Sequence, residues 1–166
     1  MADIKTIDAL MLRDMVTAGA ALLEKNREAV NQLNVFPVPD GDTGTNMSMT
    51  MISAVKELNG REHGSIGEAV AALAKGALRG ARGNSGVILS QLFRGFAKEL
   101  EDVQLATPAQ FAKAMRAGSD TAYKAVMKPK EGTILTVARV IADDAIRQAE
   151  MAPEDFSALF RVILTS

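Results

Sequence analysis

Asp40-Gly41-Asp42 sets two carboxylates one glycine apart. Both can turn toward a single cation. Hard oxygen ligands of this kind suit Mg²⁺, which keeps several waters and is usually shared with substrate phosphates. The same residues also read as a turn before a helix, with Asp42 or Thr43 as N-cap and Asp40 shaping the bend. The pair alone does not choose between these readings. An EF-hand fits poorly, because its twelfth loop position falls on Met51 rather than Glu.

Two other segments carry similar chemistry. In Gly83-Asn84-Ser85-Gly86, small residues let backbone approach a phosphate, and Ser85 can donate its hydroxyl; the plainer reading is a helix–helix turn capped by Asn84 or Ser85. In Lys128-Pro129-Lys130-Glu131-Gly132-Thr133, Thr133 either caps a helix or touches phosphate, and the lysines read best as solvated. Arg79 and Arg82, near the glycine segment, are candidate phosphate partners, although exposed arginines are common. Ile134, Leu135 and Val137 could meet a base, but core packing is their default. There is no match to G-x-x-x-x-G-K-[ST], so a nucleotide here would be held by metal and backbone, not by a Walker lysine.

These residues need elements to position them. Leu10, Met11, Asp14, Met15, Ala18, Leu22 and Val30 trace a mainly apolar stripe, which predicts a first helix from about Asp8 to Asn31. Pro37 and Pro39 force extended backbone, and Gly41 permits a tight turn. A second helix is expected from Thr43 to near Gly60, and a third from Ile66 to about Leu78, capped by Ser65. Gly80 to Gly86 reads as a loop before a fourth helix that ends near Leu100. Thr107-Pro108 opens a fifth, Thr133 a sixth running to about Glu150, and Pro153 a seventh. No strand or repeat is evident. In an up-and-down bundle alternate connections share one end. The segments 34–43, 80–85 and 128–133 precede helices two, four and six, so they gather at one end. Helix N-termini there would present free N–H groups to phosphate.

Composition narrows the classes. Of 166 residues, 48% are hydrophobic and only 4% aromatic, so Ala, Leu, Val and Met must fill the core, which favours packed helices in one domain. The net charge of −1 argues against a nucleic-acid footprint or a polybasic membrane face. With no cysteine and one histidine, thiolate chemistry and Cys- or His-rich metal sites are excluded. His63 reads as a surface residue, and Met47, Met49 and Met51 as core filling. The N-terminus lacks the layout of a signal peptide, and no apolar run would span a bilayer, so a cytoplasmic protein is expected.

Asn34-Val35-Phe36-Pro37-Val38-Pro39-Asp40-Gly41-Asp42-Thr43-Gly44-Thr45-Asn46-Met47 resembles the signature of the N-terminal domain of bacterial fatty-acid kinase, itself similar to the nucleotide-binding subunit of dihydroxyacetone kinase. Gly80 to Gly86 and Lys128 to Val137 resemble two further family motifs, in the expected order. The resemblance implies an all-α, up-and-down antiparallel barrel or bundle with ATP and Mg²⁺ at one end. It places metal binding and catalysis on Asp40 and Asp42, with Asn34 as a third ligand or a loop-orienting residue. It puts phosphate contacts at Thr45, Asn46, Asn84 and Ser85, in the segments that also hold Thr43 and Gly83, and it sets Thr133 and Ile134 near the nucleotide. Thr43 stands where dihydroxyacetone kinases often carry histidine. The family domain normally continues through a further helix and a closing loop, so residues 1–166 are expected to stop short of its end.

In that reading a separate fatty-acid-binding protein presents the acyl chain and the product is an acyl-phosphate. A fatty acid's carboxylate is ionised near neutral pH, with a pKa of about 4–5. It therefore needs no general base, and the site has only to position groups and neutralise charge. Two alternatives stay open: a dihydroxyacetone-kinase-like phosphotransferase, and a non-catalytic helical interaction module. A homodimer formed through the full-length protein is a further expectation.

Overall fold

The structure is a computed structural model and describes residues 4–166. Eight helices account for its regular structure: α1 (Ala9–Lys25), α2 (Arg27–Leu33), α3 (Thr43–Leu58), α4 (Ile66–Gly80), α5 (Gly83–Glu99), α6 (Pro108–Ala125), α7 (Ile134–Met151) and α8 (Phe156–Thr165). The all-helical expectation holds. Among the described residues the one β contact is an isolated antiparallel bridge between Ile7 and Ala106.

Three segments and one side chain differ from the expectations, for reasons that are local at Asn26 and Asp155 and tertiary at the glycines. The long first helix is two, because Asn26 leaves helical geometry and its side-chain amide donates to the Leu22 carbonyl at 2.8 Å. An asparagine can satisfy such a carbonyl outside a helix, and the chain turns there. Pro153 does not open the last helix. Asp155 caps it instead, accepting from Ser157 N–H at 2.8 Å. The glycine segment is no long loop: α4 continues to Gly80 and α5 starts at Gly83. Gly80 and Gly86 are helical residues at close contacts. A Cβ on Gly80 would collide with Ser53, and one on Gly86 with the Thr50 hydroxyl. These glycines mark helix–helix approach rather than chain flexibility. His63, expected at the surface, is half-buried and bonds the Leu58 carbonyl through Nε2 at 2.8 Å.

Side-chain pairings fix the helix directions. Ser53 Oγ donates to the Gly76 carbonyl at 2.8 Å, and Glu57 pairs with Lys75 at 3.0 Å, so α3 and α4 run antiparallel. Gly83 lies against Asn46 and Gly86 against Thr50, so α3 and α5 run parallel. Gly95 meets Ala117 and Thr121 while Gly118 meets Leu92, so α5 and α6 are antiparallel. Arg116 pairs with Asp143 and Tyr123 bonds Arg139, so α7 runs antiparallel to α6, and the starts of α3, α5 and α7 share one end of the bundle, as the loop parity predicts. The extra break at Asn26 precedes all three loops and does not alter their arrangement.

The core is graded along this axis. At the far end, Phe111 makes edge-on contacts with Phe96, Phe156 and Phe160 at centroid distances of 5.1, 5.7 and 5.6 Å. Ile7, Leu58, Ile66 and Leu100 are fully buried in the same cluster. Full burial of such side chains stabilises by about 1.5–3 kcal/mol each. Toward the loop end the buried positions of α3 and α5 turn small or polar, with Gly44, Ser48, Thr50, Gly86 and Ser90, while Leu135 of α7 stays large and buried. Met47, Met49 and Met51 divide accordingly: Met51 is buried, Met47 half-buried and Met49 exposed. Anchorage is thus concentrated away from the loops.

Candidate functional site

The first loop is held by asparagines. Asn34 donates from Nδ2 to the Val38 carbonyl at 2.9 Å and accepts from Asp42 N–H at 3.3 Å through Oδ1. Gly41 supplies the turn with φ +66°, a conformation that favours glycine. Asp40 and Asp42 are both exposed. Asp42 stands at the N-cap position of α3 with φ −125° and ψ 2°, and its side chain makes no capping bond. That function falls to Asn31, from α2. Its Oδ1 accepts from Thr45 N–H at 3.0 Å and its Nδ2 donates to Thr45 Oγ1 at 3.0 Å. The close crossing of α2 over α3 needs Gly44, where a Cβ would overlap the Arg27 carbonyl.

The second loop is tied to the first turns of α3 through Thr50. This buried hydroxyl donates to the Asn46 carbonyl at 2.8 Å and accepts from Arg82 N–H at 3.2 Å. Gly83, at φ +59°, lies against the Asn46 carboxamide, where a Cβ would not fit. Arg82 holds the N-cap position of α5 without a side-chain cap. The first turn, Gly83-Asn84-Ser85, therefore starts with N–H groups that no capping side chain occupies. Asn84 is exposed and Ser85 half-exposed. Arg79 pairs with Glu57 at 3.3 Å along the α3–α4 face, whereas Arg82 is exposed beside the helix start.

The third loop is braced by a polar network. Glu131 accepts from Thr136 Oγ1 at 2.7 Å, from Arg139 at 3.0 Å and from Tyr123 Oη at 3.0 Å. Thr133 caps α7, accepting from Leu135 N–H at 3.3 Å. Leu135 is core, Ile134 half-buried and Val137 exposed. The Thr136 hydroxyl first, then the Arg139 guanidinium and the Tyr123 hydroxyl, hold Glu131 below the usual carboxylate range. A lowered folded-state pKa contributes stability above the unfolded value, and that contribution is lost as pH falls through the folded one. The third loop is therefore expected to loosen only in acid, below the ordinary glutamate pKa of about 4.3. Tyr123 is the sole tyrosine and there is no tryptophan, so its absorbance or ring resonances report the change directly. A transition at or above that value would contradict the brace.

The three helix starts are thus not equivalent. Asn31 caps α3 and Thr133 caps α7, while α5 is uncapped. Among the described residues no three His, Cys, Asp or Glu side chains gather as a ready metal site. Two unpaired carboxylates on an exposed loop fit a cation that completes its shell with water and phosphate oxygens, as Mg²⁺ does. A cavity of about 630 Å³ lies elsewhere, in an open groove between α3 and α4 lined by Lys56, Glu57, Arg61 and Lys75. Asn31, Thr50 and the Glu131 network are absent from the sequence reading. Asn31 acts across 14 residues and Thr50 across 32, separations with no local pattern. Glu131, Thr136 and Arg139 are closer in sequence, five and eight residues apart across the start of α7.

Comparison with known proteins places this geometry. The family model described as DAK2 domain matches residues 37–165, from the first loop to the end of α8. The chain belongs to the DAK2 domain family. This is a domain of the dihydroxyacetone kinase family, so the DAK2 chain is tied to a kinase family and, at that level, to nucleotide. It is 52% identical over 160 residues to Protein YloV of Bacillus subtilis, covering 96% of this chain and 29% of that protein. It is 54% identical over 147 residues to Uncharacterized protein SSP1546 of Staphylococcus saprophyticus, covering 89% of this chain and 27% of that protein. The DAK2 chain spans less than a third of the length of these relatives. No described helix is long and apolar enough to cross a membrane.

Proposed function

We propose that this chain is the Mg-ATP-binding domain of a fatty-acid kinase, which transfers the γ-phosphoryl of ATP to a fatty-acid carboxylate presented by a separate binding protein. The observation that carries the reading is the Asp42 carboxylate: it stands at a helix start, exposed, and is left out of capping. Asp40 and Asp42 hold Mg²⁺, and Asn34 acts through its bonds to Asp42 and Val38 as the loop-orienting residue. The uncapped start of α5, at Gly83, Asn84 and Ser85, receives phosphate oxygens. Thr43, Thr45 and Asn46 form the adjoining wall, with Thr133 and Ile134 on the nucleotide side. When bound, Mg²⁺ neutralises phosphate charge.

In the reaction a carboxylate oxygen forms a bond to the γ-phosphorus and the bond to the ADP oxygen breaks, giving acyl-phosphate and ADP. No proton has to be removed from the nucleophile. This suits a site in which no histidine lies at the loops, since His63 bonds the Leu58 carbonyl at the other end of α3. Leu33, Val35, Phe36 and Val38 are exposed just ahead of Asp40. An apolar approach of this kind suits a partner that delivers an acyl chain.

The DAK2 assignment supports a second reading, phosphorylation of a triose hydroxyl. One experiment separates them. Millimolar Mg-ATP is expected to raise the melting temperature of the chain, because a ligand at 100 times its Kd stabilises by about 2.7 kcal/mol. The full-length protein is then supplied with fatty acid and its binding protein, or with dihydroxyacetone, and acyl-phosphate is trapped with hydroxylamine. Triose turnover without acyl-phosphate would replace the first reading by the second. No thermal shift and no turnover would leave only a helical interaction module.

A further inference from the structure

An aspartate at an N-cap position ordinarily accepts from the N–H two or three residues on, and is among the residues most favoured there. Asp42 does not, although Thr45 N–H lies at that spacing. Two asparagines account for this. Asn31 reaches across from α2 and takes the Thr45 N–H itself. Asn34 holds the Asp42 N–H. Asp42 is left with ψ 2°, far from the extended ψ that capping residues show elsewhere in this chain, such as 160° at Ser65 and 163° at Thr107.

We infer that Asn31 is a positioning residue, which keeps the Asp42 carboxylate off the start of α3 by occupying the helix N–H in its place. The carboxamide is suited to this. It is uncharged, so it satisfies the N–H without adding a third negative charge beside Asp40 and Asp42. It donates as well as accepts, so it also fixes the Thr45 hydroxyl. Gly44 admits the α2 backbone closely enough for the side chain to reach. Without Asn31, the open Thr45 N–H and the partial positive charge of the helix start both draw in a carboxylate, and Asp42, three residues before Thr45, stands at the spacing from which an N-cap side chain supplies it. An aspartate bound there has one oxygen fewer to offer a cation. This role rests on the Mg-ATP reading for its purpose, but not for its geometry.

The test uses the Asp42 carboxyl carbon resonance and the Thr45 amide resonance, recorded without nucleotide, and calorimetric titration with Mg-ATP. In Asn31→Ala both resonances are expected to shift as Asp42 takes over the cap, with Mg-ATP binding weakened about tenfold or more. Asn31→Asp keeps an acceptor for Thr45 N–H and is expected to return the Thr45 amide and the Asp42 carboxyl close to their original positions. If Asn31→Ala does not fold, Asn31→Ser, too short to reach Thr45, takes its place. An Asp42 resonance unmoved by loss of the asparagine, or moved equally by Asn31→Asp, overturns the inference. A parent chain that binds no Mg-ATP defeats the kinase reading alone, because the nucleotide-free resonances still decide the role of Asn31.

Discussion

Asp42→Ala is expected to abolish Mg-ATP binding while leaving the fold as stable as before. The two halves of this result are independent. Loss of one of two carboxylates from a cation that has no other anionic protein ligand nearby should weaken binding by at least about a hundredfold, roughly 2.8 kcal/mol. Removing an N-cap aspartate ordinarily costs about 0.5–2 kcal/mol, because the helix loses a side-chain acceptor. Here that acceptor belongs to Asn31, so the unfolding midpoint should stay within about 0.5 kcal/mol of the parent. Calorimetric titration and urea unfolding of the same preparation read both quantities. An unchanged titration would sink the metal assignment. A large loss of stability would mean that Asp42 serves the helix after all.

Gly44→Ala is expected to destabilise the chain by about 2–3 kcal/mol, the upper part of the range for forcing an atom into a filled contact. The added methyl meets the Arg27 carbonyl, which is backbone and cannot turn aside. Relief requires α2 to lift from α3, and the Asn31 cap goes with it. Mg-ATP affinity should therefore fall together with stability. Gly19→Ala is the control. Gly19 lies in α1, with open space where its Cβ would be. Alanine there should be neutral or stabilise by up to about 1 kcal/mol, since glycine is the poorer helix former. Urea midpoints that do not separate these two variants would show that the α2–α3 crossing is loose.

The contrast between these glycines shows what the sequence conceals. Gly19, Gly44, Gly80 and Gly86 are the same residue type, and only the three-dimensional neighbours distinguish them. The cluster at 80–86 reads as a loop because glycine is a helix breaker in isolation. In the bundle, Ser53 and Thr50 demand a missing side chain at Gly80 and Gly86, and tertiary contact overrides the local preference. Features with local causes were legible. Thr107-Pro108 opens α6 with a capping box closed by Gln110, and Ser65 caps α4. The common end of the three loops was also legible, because it follows from counting alternate helices. Asn31 was not, since in one dimension it is simply the last polar residue of a helical stripe. Its role exists only once Asn26 breaks that helix and lays α2 across α3.

The glycine contacts also have a mechanical side. Where helices meet through backbone, no rotamer change can absorb a displacement. Such contacts join α4 to α3 at Gly76 and α5 to α6 at Gly95 and Gly118, while α5 meets α3 through Gly83 and Gly86 against the Asn46 and Thr50 side chains. The start of α3 and the second loop sit on this stiff block and are pinned together by the Thr50 hydroxyl. The third loop is different. It hangs from exposed bonds among Glu131, Thr136, Arg139 and Tyr123, which water can replace one at a time. Compliance is therefore unevenly shared around the loop end. A bound molecule would find two of its walls already set, and would do its work of fitting almost wholly against the third.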